Sequence, residues 1–378
     1  MLRSHFLAGT GALAIGGAVP GQGGFLQQIN LGVSVPLTGD LAHYGEQIVK
    51  GAQACCDETN RFTPSPTHWW AVRTFDDQNS PTVATSNVFV AASDPSVIGM
   101  IGNLTVETTL AALPQYANAS FALVVPSVTA DVITARGYRN VFRLPTKDST
   151  EGQLYGRAAL SKGANVVALA TPGDYGASIA NGLVAQARTD KHDASLVAVE
   201  ERSDPADIAV IVLRSNPTHV FLAGKPDRFG PIAKALRKRG FKGAFGASDS
   251  FFTTAVIDPY GEAMDGALVV TSTPPLERIP TIVSLLRDFQ GEVGEVTAFS
   301  AYGYAAAQLL IQAYGRGNAK DRFSLLTQLQ QGGAYNLIVG QFGFNFNGDA
   351  SLPNVYLYEL SPKGFAFKKA AIPSGFVL

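Results

Sequence analysis

The chain has 378 residues, of which 46% are hydrophobic and 16% are charged. This composition is typical of a globular protein, and the length allows two domains of about 100–200 residues each. The formal net charge of −1 and the lack of Lys/Arg runs argue against a nucleic-acid partner or a polybasic membrane patch, so we expect a small-molecule partner.

The first residues differ from the rest of the chain. Arg3 and His5 precede an apolar, Ala/Gly-rich stretch at residues 6–15, which has the length of a signal-peptide core. Residues 1–24 are therefore predicted to be a signal peptide; a disordered or tag-derived N-terminus is the alternative, because no clean A-x-A cleavage site follows. No later stretch reaches the ~18 apolar residues of a transmembrane helix, so we expect no stable membrane insertion.

The first elements in chain order alternate between strands and helices. An apolar strand begins at Ile29, and after a loop a helix runs from Gly45 to about Thr59. Cys55 and Cys56 lie side by side in this helix, where small core residues are a better interpretation than an adjacent disulfide or a metal pair. A second strand at residues 68–75 ends in an acidic turn, and a helix is predicted at residues 82–92.

Two polar turns follow neighbouring strands in the next part of the chain. The apolar run at residues 97–101 ends at Gly102-Asn103, and the Thr105 hydroxyl is placed to cap the next helix. The strand at residues 121–125 enters a second hydroxyl-rich turn at residues 126–131. Because the carboxyl ends of parallel strands meet at one edge of a sheet, both turns are expected to face a single ligand crevice.

The second half repeats the alternation. Asp148 and Glu151 have the spacing of a reciprocal helix cap. Further strands are predicted at residues 166–170, 197–200, 208–213, 220–223 and 244–246, with helices between most of them, and late strands from residue 342 on. This pattern predicts an α/β fold with parallel sheets.

No motif of an enzyme is present in the sequence. It has five His but no H-E-x-x-H, G-x-S-x-G, G-x-x-x-x-G-K-[ST] or, after the first strand, G-x-G-x-x-G. The acidic pairs Asp76/Asp77 and Glu200/Glu201 lie in turn or edge contexts. We therefore predict a protein without catalytic residues, cofactor or metal.

Several runs of sequence resemble a known family. The runs "INLGVSVPLTGDLAHYGEQIVKG", "VIGMIGNLTVETTLAALPQYANASFALVVPSVTADV" and "IVGQFGFNFNGD" are similar to periplasmic solute-binding proteins of the leucine/isoleucine/valine type, which serve ABC importers. The similarity covers roughly residues 28 to 365.

The resemblance implies two Rossmann-like lobes joined by a three-strand hinge, with a ligand cleft between them. It places residues 28–147 and 275–350 in the N-terminal lobe, and residues 148–274 and 351–378 in the C-terminal lobe. The implied function is periplasmic capture of a small organic solute and its delivery to a membrane permease of an ABC transporter. A ligand-sensing domain for amides or amino acids is the alternative, although no effector domain is attached.

The resemblance also implies site residues. Two of them depart from the family: Val106 stands where a Ser is common, and Lys225 stands where an aromatic residue is common. The expected ligand is thus a branched-chain or other hydrophobic amino acid, or an aromatic or organic acid that Lys225 attracts, with Phe251 and Phe252 as walls. Asp249 is expected to pair with a ligand ammonium group. The implied ligand-binding residues are Tyr44, Thr105, Val106, Ser127, Thr129, Tyr175, Lys225 and Asp249.

Overall fold

Two separate sheets organise the chain in the computed structural model, which describes residues 26–173, 175–278, 297–353 and 355–371. The predicted signal peptide lies outside the described residues. The first sheet has the order β2-β1-β3-β4-β5, and all of its strand pairs are parallel. Its strands are β1 (Gln27–Val35), β2 (His68–Asp76), β3 (Val97–Gly102), β4 (Ala122–Val125) and β5 (Val141–Arg143).

The second sheet has seven strands in the order β14-β13-β10-β9-β8-β6-β7. Its strands are β6 (Asn165–Ala170), β7 (Asp193–Ala198), β8 (His219–Ala223), β9 (Ala244–Ala247), β10 (Ala267–Thr271), β13 (Val355–Ser361) and β14 (Gly364–Ala371). Strands β6 to β10 pair in parallel, whereas β13 and β14 add an antiparallel edge. A short hairpin of β11 (Tyr335–Leu337) and β12 (Gly340–Phe342) stands apart from both sheets.

Helices cover the faces of both sheets. In the first half they are α1 (Ala42–Phe62), α2 (Pro81–Ser93), α3 (Val106–Asn118), α4 (Val132–Ala135), α5 (Asp148–Ala159) and α6 (Ala177–Thr189). Those after them are α7 (Pro205–Leu213), α8 (Pro226–Lys238), α9 (Ile257–Tyr260), α10 (Ala298–Gly317) and α11 (Arg322–Gln330). Every residue of β3 and β4 is buried, as expected for strands covered on both faces. Among the described residues, every helix is too short or too polar to cross a membrane.

Each lobe contains one tight helix crossing that depends on glycine. A Cβ atom on Gly51 of α1 would lie 1.9 Å from the Ser300 carbonyl oxygen of α10, and one on Gly152 of α5 would lie 1.9 Å from the Ile179 carbonyl oxygen of α6. Such distances leave no room for a side chain, so the glycines allow the helix backbones to touch. Helix α10 thereby returns the chain to the first lobe after β10.

The chain passes between the two sheets three times: from β5 to α5, from β10 to α10, and from β12 to β13. The two-lobed α/β architecture with parallel sheets is therefore as predicted, while the residue boundaries given for each lobe stay a prediction. Cys55 and Cys56 are free and buried in the core of the first lobe, also as predicted.

Three local predictions are wrong. Residues 208–213 form part of helix α7 rather than a strand, because Asp204 caps the helix through its carboxylate and Pro205 occupies the first turn. The Thr105 side chain makes no cap bond to α3, although Thr105 does occupy the N-cap position. Lys147, not Asp148, is the N-cap of α5, and the Lys147 side chain makes no cap hydrogen bond.

Candidate functional site

Two polar turns lie at the carboxyl ends of β3 and β4. The first, residues 103–106, leads into α3, and the second, residues 126–131, leads into α4. Asn103 fixes the first turn from inside the core: its amide donates to Asp77 Oδ2 at 2.9 Å and to Ser34 Oγ at 3.2 Å. Sequence reasoning missed Asn103, because its partners come from two other strand ends.

The hydroxyl groups of the two turns are already engaged. Thr105 Oγ1 donates to Asn79 Oδ1 at 2.9 Å, and Ser127 Oγ is 3.2 Å from the Leu104 carbonyl oxygen, to which it donates. The Thr129 hydroxyl is hydrogen-bonded to the carboxylate of Asp148. Each hydroxyl has one hydrogen to donate, so these three side chains must turn before they can donate to a ligand. The backbone N–H groups in the first turn of α3, by contrast, have no side-chain cap.

Arg143 fixes the second turn. Its fully buried guanidinium donates to the carbonyl oxygens of Thr129 and Ala130, at 2.9 and 2.6 Å, and forms an ion pair with Asp349. It also donates to the Thr134 hydroxyl at 2.8 Å. Because Asp349 comes from the segment that crosses between lobes, this cluster ties the turn to a crossing segment.

Two cavities meet at the second turn, and both are lined by Ser127 and Thr129. The first cavity, of about 500 Å³, opens toward the crossing segments, and the second, of about 560 Å³, opens along α3. Aromatic side chains wall the first cavity: the Tyr44 and Phe299 ring centroids are 4.9 Å apart, and Phe252 packs on Tyr358 at 4.3 Å. Together the cavities form a cleft between the lobes, with apolar walls and a few polar groups, as ligand sites usually have.

The structure brings most of the predicted site residues to this cleft. Seven of the eight line a cavity; Lys225 is exposed at the N-cap of α8 and lines neither cavity. Phe251 is buried in the core of the second lobe, whereas Phe252 lines the first cavity. The residues that line a cavity are Tyr44, Thr105, Val106, Ser127, Thr129, Tyr175 and Asp249.

Three carboxyl groups gather on the second-lobe side of the cleft. Asp148, which is 5% exposed, lines the second cavity, Asp249 lines the first, and Glu151 is fully buried near both of them. Asp148 Oδ1, Asp249 Oδ1 and both oxygens of Glu151 are buried without a hydrogen-bond partner of normal geometry. We call Asp148, Glu151 and Asp249 the acidic cluster.

Burial dominates the titration of this cluster. Desolvation, with a smaller contribution from Asp131, raises the pKa of Asp148 to about 6. Desolvation and the charge of Asp148 raise the pKa of Asp249 to about 7. For Glu151, desolvation and then the charges of Asp249 and Asp148 raise the pKa well above its ordinary value. The cluster therefore disfavours three negative charges as long as no cation is present.

The cleft offers little to compensate an anion. None of the described residues that line the two cavities is Lys or Arg. The nearby cations are occupied: Arg143 pairs with Asp349, and Lys147 lies 3.8 Å from Asp131 and 3.7 Å from Asp349. Among the described residues, no group of His, Cys, Asp and Glu side chains is arranged to hold a metal ion. The carboxyl groups that line the two cavities, those of Glu107, Asp131, Asp148 and Asp249, are thus not matched by a Lys or Arg of the same lining.

Comparisons with known proteins agree with this architecture. The family model described as "Periplasmic binding protein" matches residues 28–364. A Leu/Ile/Val-binding protein homolog from Brucella suis is 25% identical over 336 residues, which cover 87% of this chain and 89% of the relative.

Solved structures share the fold at low sequence identity. A leucine-binding protein from Thermotoga maritima has a TM-score of 0.74 at 21% identity, and the match covers 92% of this chain and 100% of that one. A solute-binding protein from R. palustris in complex with benzoate has a TM-score of 0.69 at 18% identity, with 92% and 97% covered. One of these structural neighbours is thus named for an amino acid, and the other holds an acid that has no amine.

Proposed function

Because the chain belongs to the periplasmic binding protein family, a family of binding proteins rather than enzymes, we propose that it captures a hydrophobic amino acid in the periplasm and delivers it to an ABC transporter permease. One observation carries the choice of ligand. The unpartnered Oδ1 of Asp249 and the uncapped N-terminus of α3 lie in two cavities that meet at Ser127 and Thr129. A zwitterion supplies one charge for each of them.

The anionic end of the ligand is assigned to the first lobe. The N–H groups in the first turn of α3 favour a carboxylate through the helix dipole and through direct hydrogen bonds. Val106 supplies no side-chain donor there, so the backbone carries this part of the recognition. Ser127 and Thr129 contribute their hydroxyls once these turn away from their protein acceptors.

The apolar part of the ligand fits the first cavity. Tyr44 and Phe299 wall it from the first lobe, and Phe252 walls it from the second. Burial of a branched or aromatic side chain against these rings provides about 25 cal/mol per Å² of apolar surface. Closure of the two lobes then completes the site and creates the form that a permease recognises.

The Brucella relative is a Leu/Ile/Val-binding protein homolog and the Thermotoga neighbour binds leucine, which supports an amino acid. The benzoate complex of the R. palustris neighbour makes an aromatic acid the competing ligand class. The acidic residues of the cleft and its lack of Lys and Arg count against a simple acid. These relatives do not favour the sensory alternative.

A thermal-shift screen tests the proposal. The purified protein is heated with single amino acids, aromatic acids, amides and small dicarboxylates. A ligand at 100 times its Kd stabilises the folded state by about 2.7 kcal/mol, which raises the melting temperature measurably. We expect hydrophobic L-amino acids to give the largest shifts; shifts with aromatic acids alone would favour the competing class, and no shift with any compound would contradict the proposal.

A further inference from the structure

We propose that Asp148 and Glu151, together with Asp249, form one acidic subsite for the cationic group of the ligand, so that the amine, and not the carboxylate, is the main handle by which this protein selects its solute. This inference rests on the proposed function and deepens it. Glu151 is its new specificity-determining residue, and α5, on which Glu151 and Asp148 lie, becomes part of the ligand site.

Buried carboxyl oxygens of Glu151 and Asp148 lack hydrogen-bond partners. Glu151 is 0% exposed, and its carboxyl group faces the backbone N–H of Asp249 without a hydrogen bond of normal geometry to either oxygen. A buried carboxylate without partners is strongly unfavourable. Asp148 Oδ1 is unpartnered as well, on a side chain that lines the second cavity. A ligand cation supplies what these oxygens lack.

Other acidic side chains near the cleft, unlike the acidic cluster, have hydrogen-bond or ion-pair partners. Asp131 accepts hydrogen bonds from the backbone N–H and the hydroxyl of Ser149, and Asp349 is paired with Arg143. Asp77 accepts from Asn103 and from the Asn79 backbone. The protein therefore pairs these structural carboxylates, and among the described residues the buried carboxyl oxygens without a partner are those of the acidic cluster.

Among the described residues, the side chains around Glu151 supply no positive charge that would balance its carboxylate. Around Glu151 the charged or titratable neighbours are Asp148 on its own helix, Asp249 after β9, and Tyr302 on α10. Tyr302 donates its hydroxyl to the Ser272 carbonyl oxygen at 2.7 Å, so it does not neutralise Glu151. Further out, Asp131 and Arg143 face Asp148, Tyr356 on β13 faces Tyr302, and His43 lines the same cavity as Asp249.

Proton release follows from this arrangement. In the absence of ligand, burial and mutual repulsion keep the cluster partly protonated near neutral pH, with the pKa of Asp249 raised to about 7. A cation favours the ionised carboxylates and lowers their pKa, so its binding releases a proton. By linkage, affinity for the cation falls as pH falls through about 7 to 6, by up to about tenfold per pH unit for one proton.

The experiment uses two matched series. The leucine series is L-leucine, 4-methylpentanoate, which lacks the amine, and 3-methylbutylamine, which lacks the carboxylate. The second series is L-phenylalanine, 3-phenylpropionate and 2-phenylethylamine. Calorimetric titration at pH 7.5 should show that loss of the amine weakens binding at least about tenfold more than loss of the carboxylate. Equal or tighter binding of the acids overturns the inference while the solute-binding function stands; no binding by any member of either series overturns both.

Variants locate the effect. Glu151→Gln keeps the size of the side chain and should weaken the amino acid and the amine by about tenfold or more, with the acid unchanged or tighter. Glu201→Gln is the matched control, because Glu201 is exposed and lines neither cavity. If the control lost as much ligand affinity as Glu151→Gln, the effect would come from the overall charge of the protein. That result would overturn the role of Glu151.

A second readout separates ligand contact from a purely structural role. Titrations at pH 7 in phosphate and in Tris, whose ionisation enthalpies differ, report protons released on binding. The wild-type protein should release part of a proton per amine bound, and Glu151→Gln should release less. Unchanged proton release in a folded Glu151→Gln variant would contradict the acidic subsite, whatever its affinity.

Discussion

The two walls of the cleft differ in how far their polar groups are satisfied. On the first-lobe wall Asn103 is bonded to Asp77, Ser127 donates to a backbone carbonyl, and Arg143 fixes the second turn. On the second-lobe wall Glu151 and its two acidic neighbours keep unpartnered oxygens. Buried polar groups in folded proteins are nearly always paired, so the first wall contributes to stability, whereas the unpartnered oxygens of the second wall fit the cationic ligand group that we propose.

The largest expected effect comes from breaking the satisfied wall. Arg143→Met removes a fully buried guanidinium and takes one donor away from Asp349 and from each of the carbonyl oxygens of residues 129 and 130. Removal of one partner of a buried ion pair typically costs about 3–5 kcal/mol of unfolding free energy. Urea denaturation of both proteins measures the difference, and Arg73→Met, which breaks a partly exposed pair with Asp94, is the control and should cost about 1 kcal/mol or less.

The next effect concerns the unsatisfied wall and ligand affinity. Asp249→Asn should weaken an amino acid by about 1.5–3 kcal/mol, the range for hydrogen bonds to charged groups. Thr129→Val should weaken ligand binding by a comparable or smaller amount, because the Thr129 hydroxyl is hydrogen-bonded to Asp148 before a ligand binds. Lys225→Met is the control on an exposed side chain and should change affinity little; the opposite ranking, with Lys225 dominant, would favour an anionic ligand.

Loss of a carboxyl group from the acidic cluster is expected to stabilise the ligand-free protein, by a smaller amount than the losses above. Asp148, Glu151 and Asp249 have folded-state pKa values above their ordinary ones, so their protonated forms favour folding. This stabilisation is complete below about pH 4 and is lost as pH rises through about 6 for Asp148 and about 7 for Asp249. Glu151→Gln should therefore raise the unfolding free energy at pH 8 by on the order of 1 kcal/mol. Thermal melts from pH 5 to 8 check this, and a destabilised variant at pH 8 would argue against an uncompensated charge.

The smallest effect tests the hydroxyls of the first wall. Ser127→Ala removes the hydrogen bonds to the carbonyl oxygens of Asn103 and Leu104, at 3.4 and 3.2 Å. Such a bond contributes about 1 kcal/mol to stability. Chemical denaturation should show a loss of this size or less. A larger loss of ligand affinity than of stability would show that the hydroxyl turns toward the ligand.

The sequence predicted the first wall better than the second. Strands that end in polar turns are local features, so residues 102–106 and 126–131 could be located from the pattern alone. The Asp148 and Glu151 spacing also has a local explanation, a helix cap. That explanation is wrong, because Lys147 is the N-cap of α5 and both carboxyl groups interact electrostatically with Asp249, about a hundred residues later in the chain. Contacts between residues so far apart in the chain have no signature in spacing.

One helix was predicted as a strand from its hydrophobicity, although the residues before it mark the start of a helix. Residues 208–213 are an unbroken apolar run, which is compatible with a buried strand or a buried helix. Asp204 and Pro205 resolve the ambiguity, since a capping carboxylate followed by proline marks a helix start. Late strands were predicted, but their antiparallel pairing was not. The pairing direction of β13 and β14 depends on how the chain returns from the first lobe, which local sequence does not show.

A crystal structure of the protein with the tightest amino acid from the screen tests the central claim most directly. The account predicts the ligand nitrogen within about 3 Å of the Asp249 carboxylate, on the side of Asp148 and Glu151, and the ligand carboxylate at the N-terminus of α3. A ligand bound in the reverse orientation, or outside the two cavities, would contradict it.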